Sequence, residues 1–485
     1  MKYQVYIGLE VHVELSTQSK LFCGCRTKFG APPNTQTCPV CLGLPGVLPV
    51  INQKAVEYTL MTALALNCTI NENCRFARKN YYYPDLPKNY QISQYDEPLA
   101  ENGWLEIKVN GRTKRIGIQR VHLEEDAGKL IHGDDMQDLE EKNWSFVDYN
   151  RAGIPLMEIV SSPEIRSPEE AYEYLVTLRR ILRYLKVSDC NMEEGSLRCD
   201  ANISLSDKPG KMGTKTELKN MNSFKELREG LKAEIRRQME LLEKGEKVIQ
   251  ETRLWDPRTK RTYAMRGKEE AHDYRYFPEP DLPPLYIDKN LIEKIKAQIP
   301  ELPQQRFQRF ITQYDLPAYD ASVLTESRDL ADYFEECVKL FPKPKVVSNW
   351  IMSEIMRFLK QEELVTIKIS PGGVADLLSE VEKGTLSTSM AKEVLEEMFR
   401  TGKGVSQIIE EKGMRQISDH QSIEQMADEV IRENPKAVKD WQKGKTQAAK
   451  FLVGQLMRKT KGKANPQIAN QVIERKLKSL SREET

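Results

Sequence analysis

No run of the chain is apolar enough to cross a membrane. A span needs ~18 consecutive apolar residues, and the longest apolar stretches here are short and interrupted. The N-terminus lacks the apolar core of a signal peptide, because Glu10, His12 and Glu14 break it after a single early Lys2. A cytoplasmic location and no membrane partner are expected. Cysteine is sparse, nine in 485 residues, too few for a disulfide scaffold. Internal repeats and low-complexity tracts are absent. So are G-x-G-x-x-G after a strand, H-E-x-x-H and G-x-S-x-G. Gly444-Lys445-Thr446 looks like the end of a phosphate-binding P-loop, but Lys439 stands where its first glycine belongs. That segment reads instead as a helix-capping or RNA-contact stretch. If ATP is used, the fold is an antiparallel type that needs no P-loop.

What is present is a large, charge-rich chain with 39% hydrophobic and 30% charged residues. That length implies about three domains. The net charge of +1 hides an asymmetry. From Pro435 to Thr485 there are 13 Lys and Arg against 4 Asp and Glu, so +9, which leaves −8 for the rest. A basic tail on an acidic body suits nucleic acid, or else a solvated lysine-rich helix pair. The proline-rich stretch Phe277–Pro284 is stiff and extended, and a boundary is expected just after it. A second boundary is expected at Gly402–Gly413. The three domains are then 1–290, with β-type alternation, an all-α middle at 291–405, and a small helical tail at 406–485. Ser167-Pro168-Glu169-Glu170 and Ser223 with Glu226 carry helix-start signals. They predict helices to about Tyr184 and about Lys244. Asn465-Pro466 starts the last helix.

The densest signal is a set of alternating segments. In Tyr3–Leu15 every odd position is apolar, while Glu10, His12 and Glu14 share the other face of the strand. Arg198, Asp200, Asn202 and Ser204 line up in the same way in Leu197–Leu205. Lys215, Glu217 and Lys219 do so in the next segment. The segment Arg115–Glu125 shifts phase near Gln119–Arg120, which predicts a bulge there. The pattern leaves open whether Glu124 or Glu125 faces the site. Such faces are either the wet side of an antiparallel sheet or a cradle for Mg²⁺ and phosphates. Hard cations want oxygen ligands, and lysines neutralise phosphoryl oxygens.

Two further patches are basic. Arg78-Lys79-Asn80 precedes three tyrosines and a proline-stiffened turn, where rings can stack on bases and Lys can meet phosphate. Arg151 beside Gly153 could clamp an anion. Cys23-Gly-Cys25 and Cys38-Pro-Val-Cys41 make a four-thiolate set. Four thiolates close a tetrahedral site, which points to structural zinc. Free cysteines, or a redox pair at the C-x-x-C arm, are the alternatives. Cys68, Cys74, Cys190, Cys199 and Cys337 read as buried thiols.

Long strings of the chain resemble the family of aspartyl/glutamyl-tRNA amidotransferase B subunits. They are Ile7-Gly-Leu-Glu-Val-His-Val-Glu-Leu15, Pro39–Pro49, Arg78–Pro87, His122–Lys129, Gly195–Ser204, His272–Asp281, Phe451–Met457 and Gly462–Pro466. The resemblance runs from end to end. It implies an α+β catalytic domain of glutamine synthetase/guanido kinase type, followed by helical tRNA-binding appendages. It implies ATP-dependent phosphorylation of the side-chain carboxylate of Glu on tRNA(Gln) or Asp on tRNA(Asn). Ammonia from a glutaminase, the A subunit of the family's complex, then displaces the phosphate, and a small C subunit joins the two large ones. On this chain Glu10, His12 and Glu125 are the expected Mg²⁺ ligands. Glu124, Asp200 and Glu217 are further metal or substrate candidates. Lys79 and Arg151 meet phosphate, with Asn202 and Lys219 beside them. Two rivals stand against this: a small-molecule amide ligase, which needs no basic tail, and a non-catalytic RNA adaptor, which needs no Glu/His/Asp faces.

Overall fold

The computed structural model describes residues 2–132, 144–208, 210–265, 273–359, 369–414, 420–460 and 463–483. His272 and Gly462, which open two of the strings above, lie outside them. The chain divides into two compact units, Met1–Pro303 and Gln304–Thr485.

The first unit is built on a nine-stranded sheet. Its order is Arg261–Ala264, Thr252–Asp256, Thr216–Lys219, Leu197–Ser206, Gln4–Glu14, Pro155–Ser161, Arg112–Glu125, Ala100–Val109, Thr69–Ile70. Every pairing is antiparallel except that of Thr216–Lys219 with Thr252–Asp256, which is parallel. The antiparallel expectation is amended there, because helix Phe224–Glu243 supplies the long crossover that parallel neighbours require. Val5, Ile7, Leu9, Val11 and Val13 are buried. They share one core with the apolar faces of helices Gln53–Ala65, Pro168–Leu185 and Phe224–Glu243. The helices cover this face, and alternation sends Glu10, His12 and Glu14 to the other.

The helix starts follow the sequence signals. The Ser167 hydroxyl accepts from the Glu170 amide ahead of Pro168, and Ser223 does the same for Glu226. Each such cap is worth about 1 kcal/mol. The helices end at Leu185 and Glu243. The bulge also forms. Val160 pairs with Arg120 but Ser161 with Ile118, so Gln119 is the extra residue. It lets Ile116, Ile118, Val121 and Leu123 all stay buried on the helix side and turns His122 and Glu124 to the open side. A three-stranded sheet of Phe277–Pro278, Ala77–Asn80 and Tyr90–Ser93 carries Lys79. It is tied to the end of the Arg112–Glu125 strand by the Ser93 hydroxyl, which donates to Glu124 (2.9 Å), and the Gln91 amide, which donates to the Glu125 carbonyl (2.7 Å).

The second unit, as described, is helical and holds two hydrophobic clusters. One runs from Phe310 to Ile409 and the other from Ile423 to Leu477. Gly402 and Gly413 end helices Thr388–Thr401 and Val405–Lys412 in left-handed conformations that only glycine adopts readily. Helix Pro466–Glu483 begins where Asn465 accepts from the Gln467 and Ile468 amides. Thr446 starts helix Gln447–Lys459 without a side-chain cap bond. No described helix is long and apolar enough to cross a membrane.

Candidate active site

On the open face the strand register aligns the polar residues in rows. One row reads Arg198, His12, Glu158 and His122 across four adjacent strands. The next reads Asp200, Glu10, Val160 and Arg120. Glu124 sits diagonal to Glu158, opposite Leu156. His12 Nε2 lies 3.6 Å from Glu158 Oε2 and 3.9 Å from Glu124 Oε1. His122 Nε2 approaches the same two carboxylates at 3.4 and 3.7 Å. His12, Glu124 and Glu158 thus bring one ligand atom each within 4.8 Å of one another. Asn202 donates to Glu10 at 2.8 Å, and Thr252 donates to Glu217 at 2.7 Å. Lys219 lies 3.4 Å from Glu217 and 3.8 Å from Asp200.

The electrostatics are those of charge gathered faster than it is neutralised. Burial, with Glu158 and Glu217 close by, raises the Glu10 carboxyl. Burial alone would depress His12, but the bond to Glu158 and the Glu124 charge outweigh it and lift the imidazole to about 9. Glu158 is held far below the ordinary carboxylate value, because His122 and His12 overcome its burial. Glu14 is pushed up to about 8 by burial and by Asp126 beside it. Asp126 is the ionised partner. Burial opposes its charge, but Arg198 and Arg151 hold it low, and Arg198 donates to it at 2.7 Å. The Lys79 ammonium is raised, since Glu124 outweighs its burial. It lies 4.9 Å from the Tyr274 ring centre and 5.7 Å from that of Tyr81. Such a face can hold a hard cation and, on it, phosphates. The oxygen and imidazole donors suit Mg²⁺, which takes one or two carboxylates and leaves its other positions to water and phosphate.

The structure gathers Glu10, His12, Glu124, Asp200, Asn202, Glu217 and Lys219 on this face, with Lys79 at its margin. It does not bring Glu125 there. As the strand ends, Glu125 ion-pairs with Lys88 and accepts from the Ile92 amide at 2.9 Å. Nor does Arg151 point a free fork at the face. Its guanidinium donates to the Ala127 and Gly128 carbonyls (3.1 and 2.8 Å) and lies 3.7 Å from Asp126. Of the tyrosines, Tyr82 and Tyr83 are exposed. Glu158, His122 and the Glu14–Asp126 pair were not read from the sequence. Glu158 is a lone acid in the otherwise apolar Leu156-Met157-Glu158-Ile159-Val160, and that isolation was the available signal.

The thiols of Cys23, Cys25, Cys38 and Cys41 also converge, with their sulfur atoms within 4.8 Å of one another. The neighbouring Cys23 thiol, the Cys38 amide and Lys20 pull Cys41 down to about 4, against its burial. Four sulfurs at this separation fit one tetrahedral ion. The remaining five cysteines are buried and apart.

Residues 5–293 match the GatB/GatE catalytic domain family, and residues 332–477 match the GatB domain family. Over 482 residues the chain is 56% identical to the B subunit of the aspartyl/glutamyl-tRNA(Asn/Gln) amidotransferase of Carboxydothermus hydrogenoformans. That alignment covers 99% of this chain and all of the relative. Identity is 55% to the proteins of the same name from Caldanaerobacter subterraneus subsp. tengcongensis and Thermodesulfovibrio yellowstonii. These alignments cover 98% and 99% of this chain and all of each relative.

Proposed function

Because the chain belongs to the family of aspartyl/glutamyl-tRNA amidotransferase B subunits, we propose that it amidates an amino acid already attached to tRNA. It uses ATP to phosphorylate the side-chain carboxylate of Glu on tRNA(Gln) or Asp on tRNA(Asn), and ammonia then displaces the phosphate. The observation that carries this reading is the convergence of His12, Glu124 and Glu158 on one open sheet face, with Lys79 and Lys219 at its sides.

His12, Glu124 and Glu158 are the Mg²⁺ ligands in this reading, with Glu10 beside them. Glu124 replaces Glu125 because Glu125 is committed to Lys88 and the Ile92 amide. When bound, Mg²⁺ supplies charge neutralisation on the phosphoryl oxygens. The chain's own residues do the rest. Lys79 and Lys219 offer ammonium groups to phosphate. Asn202 fixes Glu10, and Thr252 fixes Glu217. Arg198 and Arg151 hold Asp126 charged, and so leave the proton of the neighbouring pair on Glu14. In the first step a carboxylate oxygen attacks the γ-phosphorus and ADP leaves. In the second, nitrogen attacks the activated carbonyl carbon, inorganic phosphate leaves, and the nitrogen loses a proton. The acyl-phosphate needs shielding from water, which a tRNA end lying over the open face would give.

The rest of the reading is coarser. The sheet with helices on one face supports a catalytic domain of glutamine synthetase/guanido kinase type. The basic residues after Pro435 support a tRNA-binding tail at 406–485, after a helical domain from 291. A glutaminase, the A subunit, supplies ammonia and a small C subunit joins the assembly, in the cytoplasm. The four cysteines hold structural zinc.

The test is ADP release by the purified complex with ATP and Mg²⁺, with and without Glu-tRNA(Gln) or Asp-tRNA(Asn). Release that depends on the aminoacyl-tRNA is expected. Release indifferent to tRNA would make the protein a small-molecule ligase.

A further inference from the structure

Lys20 is the one fully buried lysine among the described residues, at 0% exposure. Its ammonium donates to the Cys41 sulfur at 3.5 Å and to the Tyr149 carbonyl at 3.2 Å. No carboxylate among the described residues comes within the 4.0 Å of an ion pair. A buried ammonium without a counter-charge is costly. The Cys41 sulfur beside it can offer one negative charge, whereas a divalent ion held by four thiolates carries a net charge of about −2. The ammonium therefore complements the metal-loaded state of the cluster more fully than the empty one.

The same residue reaches the catalytic face. The Lys20 amide donates to the Cys25 carbonyl at 2.9 Å, and the Leu21 amide donates to the Gly153 carbonyl at 2.8 Å. Gly153 has φ +85°, and a Cβ there would lie 3.5 Å from Cys41 Cβ and 3.6 Å from Lys20 Cδ. That left-handed φ, and not the spacing, is what calls for glycine where the turn meets the cysteine loop. That turn carries Arg151, which grips Ala127, Gly128 and Asp126. Asp126 in turn holds Arg198, the partner of His12 in the sheet.

We propose that Lys20 is the counter-cation of the four-cysteine metal centre and the brace that joins this centre to the Tyr149–Gly153 turn of the catalytic face. The inference rests on the zinc reading above. It makes Lys20 a positioning residue that touches no substrate.

The experiment is zinc competition between the purified complex and the chromophoric chelator 4-(2-pyridylazo)resorcinol, for wild type, Lys20→Met and Lys20→Arg. Lys20→Met should lose about 10- to 100-fold in zinc affinity, as expected for a group bonded to a metal ligand. Lys20→Arg keeps the charge and should recover most of it. Chelation should also lower the melting temperature of wild type more than that of Lys20→Met, because wild type binds zinc more tightly and so loses more stabilisation with it. Wild-type affinity in Lys20→Met, with an equal chelator shift, would overturn the role of Lys20 and leave the zinc reading standing. Equal losses in Met and Arg would assign the effect to side-chain shape and overturn it too. A complex purified without chelators and free of zinc would overturn both readings.

Discussion

Glu234 and Glu158 are buried glutamates in the same unit, set on opposite faces of the same sheet. Glu234, on the helix side, accepts from Thr216, Thr262, Gln238 and Arg237, each at 2.6–2.9 Å. Glu158, on the open side, is met by two imidazoles at 3.4 and 3.6 Å and shares its surroundings with Glu10 and Glu124. The first carboxylate is saturated with donors and ties strands Thr216–Lys219 and Arg261–Ala264 to helix Phe224–Glu243. The second is neutralised by two imidazoles and stands among further carboxylates. A saturated buried charge is scaffold. One held only by imidazoles that can release their protons, among further carboxylates, marks where a cation and its anionic ligands belong.

Breaking this contrast from the open side should give the largest effect. His12→Ala should reduce ATP-dependent amidation by about 10³-fold, with the tRNA dissociation constant changed less than about twofold. A matching loss of tRNA affinity would move His12 into the RNA site. Next, Glu124→Gln should cost about 10²-fold in kcat, partly restored by raised Mg²⁺. Glu125→Gln should respond to Mg²⁺ like wild type, and identical Mg²⁺ titrations for the two variants would mean that Glu124 and Glu125 act alike toward the ion.

From the scaffold side, Glu234→Gln should lower unfolding free energy by about 3 kcal/mol, since Arg237 and Arg253 would lose a buried partner. The folded fraction should keep its kcat. A fall in kcat without a fall in stability would place Glu234 among the active residues. Ending the chain after Gly413 should weaken tRNA binding about tenfold and flatten its salt dependence, as lost phosphate contacts do. Full affinity in the shortened protein would free the tail of that role.

The smallest effect is a pH-dependent one in the helical unit. Arg309, Tyr314 and Arg306 hold Glu335 at about 2, against its burial. A depressed folded-state value stabilises above the unfolded carboxylate range and is lost as pH falls through it. Thermal stability should therefore fall between about pH 4.5 and 2 in wild type, and by less in Glu335→Gln.

Much of this was legible in the sequence where the signal is local. Alternation in Gln4–Glu14 fixes a core face and a polar face within one strand. The serine caps fix helix starts within one turn, and the four cysteines lie close enough in sequence to declare a site. What stayed hidden depends on pairing between distant strands. Glu158 lies in a strand whose apolar residues fall on both faces, so no alternation marked it. The choice between Glu124 and Glu125 turned on a phase change whose position was visible but whose outcome was not. Arg151 reads as a free anion clamp until the fold supplies Ala127 and Gly128 as its partners. Lys20 offers no sequence signal at all, because its burial is set by Cys41 and Tyr149, far along the chain.

Gln119 sets where the gene for this protein tolerates error. Removing that one residue would leave Ile118 and Arg120 consecutive against Ser161 and Val160, with Val121 and Leu123 still in the apolar layer and His122 and Glu124 still on the open side. A three-base deletion at Val121, in the regular part of the strand, would instead turn His122 and Glu124 into the apolar layer and Leu123 to water, like a frameshift confined to one strand.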